Sequence, residues 1–157
     1  RLLPTIRSRC VAVPVPVPPP DVAAEWLAGQ GLKDAPRWLA FASGAPLRAL
    51  AYAEDPAALQ RLIDAVTGGR RVLPDTREDL EALAEVLQKH ALDQAMALMG
   101  LPSIYGLSTA RGPNPELAEQ WLRFAREMGP SRALARHPLN PRLFAADLQA
   151  RAPESKK

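Results

Sequence analysis

Three Asp-Pro or Asn-Pro steps punctuate the chain, at Asp55-Pro56, Asn114-Pro115 and Asn140-Pro141. An Asp or Asn side chain can accept a hydrogen bond from the unpaired N–H groups in the first turn of a helix. Proline is tolerated at the first helical position because its missing N–H would have no partner there. Each step therefore predicts the start of a helix, and apolar residues at helical spacing follow all three.

Glycine and proline also predict where these helices end. The helix after Pro56 should end at Gly68-Gly69. The helix after Pro115 should end at Gly129-Pro130, with Ser131 capping a short helix that runs to residue 136. The helix after Pro141 carries Phe144 and Leu148 inward and is followed by a polar tail.

The longest helix is predicted between these segments, from Asp75 to Gly100. Asp75 and Glu78 have the spacing of a capping box. The helix then carries an apolar stripe at intervals of three and four residues, formed by Leu80, Leu83, Ala84, Leu87 and Ala91. A loop rich in Gly, Ser and Pro follows over residues 102–113.

The first third of the chain predicts a strand-like segment and a small helical module. The sequence from Cys10 to Pro20, CVAVPVPVPPP, alternates like a strand, but its prolines lack the N–H that a central strand needs. It predicts a short strand followed by a stiff, polyproline-like segment. Short helices then begin at Asp21, Asp34 and Pro46, and each is too short to be stable alone.

The expected fold is therefore all-α, with an extended segment at the start. Four parts are predicted: an extended segment over residues 1–20, a three-helix module over 21–54, a helical bundle over 55–152 and a disordered tail over 153–157. The boundary between the two helical parts should fall near Ala53–Pro56.

Composition excludes several classes of function. The net charge of +3 lies in residues 1–53, which hold six Lys/Arg and three Asp/Glu, whereas residues 54–157 hold fourteen of each. A dedicated nucleic-acid surface is usually more basic and more clustered. No phosphate-binding GxxxxGK[ST] loop occurs, and Cys10, His90 and His137 have no zinc-site spacing. His90 is expected at the surface or half-buried, and the acidic residues of the longest helix are expected on a solvated face.

The opening segment, LLPTIRSRC, resembles the segment that carries the Ser-Arg-Cys triplet in AAA+ clamp loaders. In that family the arginine reaches the nucleotide of the neighbouring subunit. The resemblance therefore implies that Arg9 is an arginine finger acting in trans, with Ser8 and Cys10 as its motif companions.

Two further segments resemble the same family. ASGAPLRALAY, over residues 42–52, is similar to the start of the sensor-2 helix of the lid domain, where ATP-hydrolysing relatives carry Gly-Ser-x-Arg. Aligned from Gly44, the arginine position holds Leu47, and Arg48 comes one residue late, which turns its side chain by about 100°. This departure argues against ATP hydrolysis by the chain itself and against a cofactor-binding role for either residue. LNPRLFAADLQAR, over residues 139–151, is similar to the last helix of the family.

The resemblance also implies an architecture and a set of partners. Residues 1–20 would be a remnant of the AAA+ base domain, 21–54 the lid and 55–152 the collar that closes the ring of subunits. The chain begins without Met, and the resemblance implies that the nucleotide fold precedes it. It also implies that this chain holds no cofactor, that ATP with Mg²⁺ is bound by a neighbouring subunit, and that a zinc site, where one exists, lies in the preceding part. Its implied partners are gamma/tau-type and delta-type subunits, the sliding clamp and primed DNA, in the cytoplasm and with no membrane. It would be a non-catalytic subunit of a polymerase holoenzyme.

Apolar side chains of the collar are the candidates for contacts between subunits of the ring. The candidates are Leu80, Leu83, Leu87, Trp121, Phe144 and Leu148, and the alternative is that these residues form the core of the bundle. Two other identities stay open at this point. One is a gamma/tau-type ATPase fragment in which Arg48 contacts nucleotide, and the other is a stand-alone helical adaptor or nucleic-acid-binding domain.

Overall fold

The computed structural model describes residues 3–135 and 137–153 and shows helices without strands in that part of the chain. The predicted all-α class is therefore confirmed for the described residues. The helices divide into two compact units, Arg1–Leu50 and Ala51–Lys157. The helices are α1 (Pro4–Arg7), α2 (Pro20–Gly29), α3 (Ala35–Phe41), α4 (Pro46–Tyr52), α5 (Pro56–Thr67), α6 (Arg77–Leu98), α7 (Pro115–Leu134) and α8 (Pro141–Ala150).

The first unit packs α2 against α3 around a small apolar core. Leu27 of α2 is fully buried, and Trp38, Leu39 and Phe41 of α3 are buried as well. Asp21 lies within the first turn of α2 rather than before it, because Pro20 already occupies a helical position. Its negative charge there still stabilises the positive end of the helix dipole.

The strand predicted at Cys10 is not observed. Residues 11–19 form neither helix nor strand, and the four valines at positions 11, 13, 15 and 17 are 77–90% exposed. A strand needs a second strand to pair with, and no strand occurs among the described residues. The segment therefore keeps its valines in solvent.

The second unit is built on the pairing of α6 with α7, and α5 and α8 each pack on α6. Leu80, Leu83 and Leu87 of α6 are buried, as are Trp121 and Met128 of α7. Leu148 brings α8 into the same core and is fully buried. Because α6 has neighbours on several sides, it buries polar as well as apolar residues.

All three Asp-Pro and Asn-Pro steps begin helices as predicted. Asp55 and Asn114 accept hydrogen bonds from the N–H groups three residues ahead, at 2.9 and 3.1 Å, and Asn140 accepts one from Leu143 at 3.1 Å. The predicted capping box at Asp75 is wrong by one residue. Thr76 is the cap of α6: its hydroxyl accepts from the N–H of Asp79 and donates to the Asp79 carboxylate at 2.7 Å.

The predicted end of a helix at Gly129-Pro130 is also wrong. The helix α7 continues through Pro130 to Leu134, so Ser131 lies within it instead of capping a new helix. The buried side chains of Met128 and Ser131 flank the proline, and the Ser131 hydroxyl donates to the Glu127 carbonyl at 2.9 Å. Packing of α7 on α6 compensates for the backbone hydrogen bond that Pro130 cannot donate.

Candidate functional sites

The Ser8-Arg9-Cys10 segment lies immediately after α1 and is exposed throughout. The N–H of Ser8 donates to the Pro4 carbonyl at 3.0 Å, and its hydroxyl donates to the Thr5 carbonyl at 3.2 Å. The N–H of Arg9 donates to the Ile6 carbonyl at 3.1 Å. The backbone around Arg9 is thus a closed turn, and the guanidinium is presented to solvent.

Leu47 and Arg48 lie in the first turn of α4, where the sequence placed the sensor-2 position. Gly44, which precedes the helix, has a φ of +81°, a value that favours glycine. The Leu47 side chain is 74% exposed, and Arg48 is exposed as well. An apolar side chain therefore occupies the surface position at which the resemblance to the AAA+ lid would place a nucleotide-contacting arginine.

Five of the six apolar residues considered for ring contacts lie in the core of the second unit. Leu80, Leu83, Leu87, Trp121 and Leu148 are each at most 5% exposed. Phe144 is half-buried. The alternative, that the α6 stripe and the α8 helix form the core of the bundle, is the arrangement that these burial values describe.

The sequence did not predict a polar network that fastens the loop after α6. At its centre the carboxylate of Asp93, which is fully buried, accepts hydrogen bonds from three backbone N–H groups and one hydroxyl. The donors are Ile104 N at 2.8 Å, Tyr105 N at 3.1 Å, Leu107 N at 2.8 Å and the Ser103 hydroxyl at 2.5 Å. One carboxylate thereby closes the loop over residues 103–107.

Gln94 and His90 extend this network along α6. The Gln94 side chain accepts from the N–H of Thr109 at 3.0 Å and donates to its hydroxyl at 2.7 Å. His90 Nδ1 lies 2.9 Å from the Leu107 carbonyl, so this nitrogen carries the proton in the neutral ring. The His90 ring also meets Trp121 edge to face, with the ring centres 5.4 Å apart. Burial lowers the pKa of His90, although the Leu107 carbonyl and the charge of Asp93 act to raise it.

A second polar cluster lies one turn earlier on α6. Glu85 and Lys89, both nearly fully buried, form an ion pair at 2.5 Å. The Tyr52 hydroxyl donates to the same Glu85 oxygen at 2.6 Å. The Lys89 ammonium also lies 5.2 Å from the centre of the Tyr52 ring and 5.5 Å from that of Tyr105. Arg132 of α7 approaches the other Glu85 oxygen at 3.8 Å.

These clusters correct two expectations from the sequence. His90 is 5% exposed rather than at the surface or half-buried, and Glu85 is 8% exposed rather than on a solvated face. One signal for the network was available: Gln94 continues the three-and-four spacing of the apolar stripe from Leu87 and Ala91. A polar residue at a core position predicts a buried hydrogen-bonding partner.

The carboxylate oxygens of Asp93 and the amide oxygen of Gln94 accept hydrogen bonds from the loop of the same unit. These contacts give Asp93 and Gln94 a structural role, which is to hold that loop on α6. Within the described residues, no group of three His, Cys, Asp or Glu side chains could hold a metal ion. No helix in that part of the chain is both long and apolar enough to cross a membrane.

Comparisons with protein-family models, with curated proteins and with solved structures gave no match to this chain.

Proposed function

We propose that this chain belongs to a subunit of a replicative clamp loader of the AAA+ class, one that completes the ATP site of a neighbour. More narrowly, we propose that it is the C-terminal part of the delta-prime subunit of the clamp loader of bacterial DNA polymerase III. That subunit helps to load the sliding clamp onto primed DNA. It does not hydrolyse ATP itself.

The observation that carries the proposal is the exposed Ser8-Arg9-Cys10 triplet behind its Leu-Pro-Thr-Ile lead. A finger has to leave its own subunit, and the guanidinium of Arg9 makes no hydrogen bond or ion pair with the described residues. Phosphoryl transfer spreads negative charge over the γ-phosphate oxygens, and a planar, permanently charged guanidinium can contact several of them. A finger supplied in trans accelerates hydrolysis by about 10³–10⁵, or roughly 4–7 kcal/mol of barrier.

The exposed Leu47 supports the non-hydrolysing assignment over a gamma/tau-type ATPase. An isobutyl group cannot neutralise phosphate charge, and Arg48 is displaced from it by about 100° around the helix. In this proposal the helices over residues 21–54 serve as the lid and those over 55–152 as the collar.

The valine segment fits an edge strand of the preceding base domain. In an extended strand, the N–H groups of residues 11, 13, 15 and 17 point to one side, and the prolines at 14, 16 and 18 lie toward the other. Such a strand can pair along one edge only. Its four exposed valines would be buried by the body of that domain.

The experiment is the substitution Arg9→Ala in the full-length parent protein, reconstituted with its partner subunits, clamp and primed DNA. The matched control is Arg7→Ala, which removes another exposed guanidinium two residues earlier. We expect Arg9→Ala to leave assembly intact and to reduce hydrolysis at the neighbouring site by at least 10³-fold. Arg7→Ala should remain within a few-fold of the parent. Unchanged turnover in the Arg9→Ala loader would remove Arg9 from the mechanism.

A separate experiment tests the collar assignment. In size-exclusion chromatography, this chain should co-elute with the C-terminal domains of the partner subunits. Separate elution at micromolar concentration would refute the collar even if Arg9 proved to be a finger.

A further inference from the structure

His90 and Gln94 lie one turn apart on α6, and both side chains bind the loop that follows this helix. Both residues are buried. His90 Nδ1 donates to the Leu107 carbonyl at 2.9 Å, which leaves Nε2 as the unprotonated nitrogen of the neutral ring. The amide nitrogen of Gln94 lies 3.5 Å from this Nε2 and is the donor in that contact. The neutral ring therefore faces an NH₂ group at Nε2.

The same Gln94 amide holds the second part of the loop. Its oxygen accepts from the N–H of Thr109 and from the Ser108 hydroxyl, both at 3.0 Å, and its nitrogen donates to the Thr109 hydroxyl at 2.7 Å. The orientation of this one amide thus decides which group faces His90 and whether the Thr109 N–H has an acceptor. Thr109 is exposed, so its N–H can bond to water once it is released.

Protonation of His90 adds a hydrogen at Nε2, where the Gln94 amide presents its own hydrogens. The Trp121 indole, which meets the His90 ring edge to face, cannot accept this hydrogen, because its polar atom is an N–H. A buried, charged donor without an acceptor is strongly unfavourable. A half-turn of the Gln94 amide removes this conflict, because it brings the amide oxygen to the His90 ring.

We propose that His90, Gln94 and Thr109 form a proton-driven switch, in which protonation of His90 turns the Gln94 amide and releases the backbone N–H of Thr109. After the half-turn, the amide NH₂ faces the Thr109 N–H, donor against donor, so the loop moves away at this residue. The hydroxyls of Ser108 and Thr109 adapt by rotating, since a hydroxyl both donates and accepts. This inference does not depend on the proposed function.

The groups that face the His90 ring set the pH at which the switch operates. Burial lowers the pKa of His90, whereas the Leu107 carbonyl and the charge of Asp93 act to raise it. Asp93 acts through its charge, because its carboxylate oxygens already accept from the loop. From α7 the ring is faced by the uncharged Trp121. Since burial is the largest of these effects, the transition is expected below pH 6.5.

The release should be confined to the second part of the loop. The N–H groups of Ile104 and Tyr105 donate to Asp93 at 2.8 and 3.1 Å, in bonds that involve neither His90 nor Gln94. The Leu107 carbonyl also keeps its bond, because Nδ1 carries a proton in both states of the ring. The amides of Ile104 and Tyr105 are therefore internal references for the amide of Thr109.

Nuclear magnetic resonance of the whole chain between about pH 4.5 and 7.5 tests the switch, with the His90 ring shifts reporting its protonation and hydrogen exchange reporting the protection of single amides. As His90 is protonated, the protection of the Thr109 amide should fall about tenfold or more relative to Ile104 and Tyr105, because its hydrogen bond is lost. His90→Asn should make this ratio independent of pH. The control His137→Asn, at an exposed histidine, should leave its pH dependence in place.

Gln94→Glu distinguishes the switch from a merely structural contact. A carboxylate can accept from His90 and from Thr109 at the same time, so His90 should bind its proton at least about tenfold more tightly and the Thr109 amide should stay protected. Gln120→Glu, at an exposed position of α7, adds the same charge and should change neither property. Circular dichroism verifies that each variant is folded.

Four results would overturn the proposal. The first is a His90 ring that stays neutral across the pH range, and the second is unchanged Thr109 protection while the ring is protonated. The third is an equal loss of protection at Ile104 and Tyr105, which would indicate opening of the whole loop. The fourth is a folded Gln94→Glu variant in which His90 binds its proton no more tightly than in the original chain.

Discussion

Replacing Asp93 by Ala tests whether one buried carboxylate holds the loop over residues 103–107 on α6. The substitution removes the acceptor for three backbone N–H groups and for the Ser103 hydroxyl. A buried donor left without a partner costs about 1–3 kcal/mol. Ser103 and Ile104 are exposed and can turn toward water, whereas Leu107 is 4% exposed and cannot do so without leaving the core. The N–H groups of Tyr105 and Leu107 therefore dominate the penalty.

The expected loss is about 3–5 kcal/mol of unfolding free energy, a large share of the 5–15 kcal/mol typical of a folded domain. Urea unfolding followed by far-ultraviolet circular dichroism measures the loss. Hydrogen exchange at the amides of Ile104, Tyr105 and Leu107 locates it. Asp64→Ala, at an exposed carboxylate in the last turn of α5, is the matched control and should cost less than 1 kcal/mol. A loss below 1 kcal/mol for Asp93→Ala, or unchanged protection of the three amides, would refute the reasoning.

Two further predictions concern buried charge on α6. Because burial lowers the pKa of His90 below 6.5, the unfolded chain binds the proton first, and the contribution of His90 to stability is lost as pH falls below 6.5. The slope approaches about 1.4 kcal/mol per pH unit. Urea unfolding at several pH values between 5 and 7.5 measures this pH dependence of the unfolding free energy, and His90→Asn should remove it. The control His137→Asn, at an exposed histidine, should leave it in place. If the unfolding free energy varied with pH equally in both variants, His90 would not be its source. Lys89→Met should cost about 3 kcal/mol, the low end for breaking a buried ion pair, because Glu85 then keeps only the more distant Arg132 as a cation, and adding Glu85→Gln should recover part of the loss. Arg123→Met, in an exposed ion pair, should cost under 1 kcal/mol in the same assay, and a Lys89→Met loss no larger than that would show the buried pair to be dispensable.

Local chemistry in the sequence was enough to predict most helix starts. The side chains of Asp55, Asn114 and Asn140 bond to N–H groups only three residues away. Proline at the next position needs no distant partner either. The start of the longest helix was placed one residue early, since Asp75 and Thr76 both offer a capping oxygen and only Thr76 uses it for α6.

The candidate arginine-finger segment was predicted from a different kind of local signal. Ser8-Arg9-Cys10 is a contiguous triplet, and the structure leaves it exposed. Its role stays a prediction because the nucleotide it would contact belongs to another subunit.

The sequence by itself determined the all-α class and the capped helix starts, because these depend on interactions within a few residues. Only the tertiary structure decided that α7 runs through Pro130 and that His90, Asp93, Glu85 and Lys89 lie inside the protein. A proline in a helix and a charge in a core are tolerated when distant groups compensate for them. Tyr52 reaches Glu85 across 33 residues and the Leu107 carbonyl reaches His90 across 17, distances in sequence over which no local pattern specifies a partner.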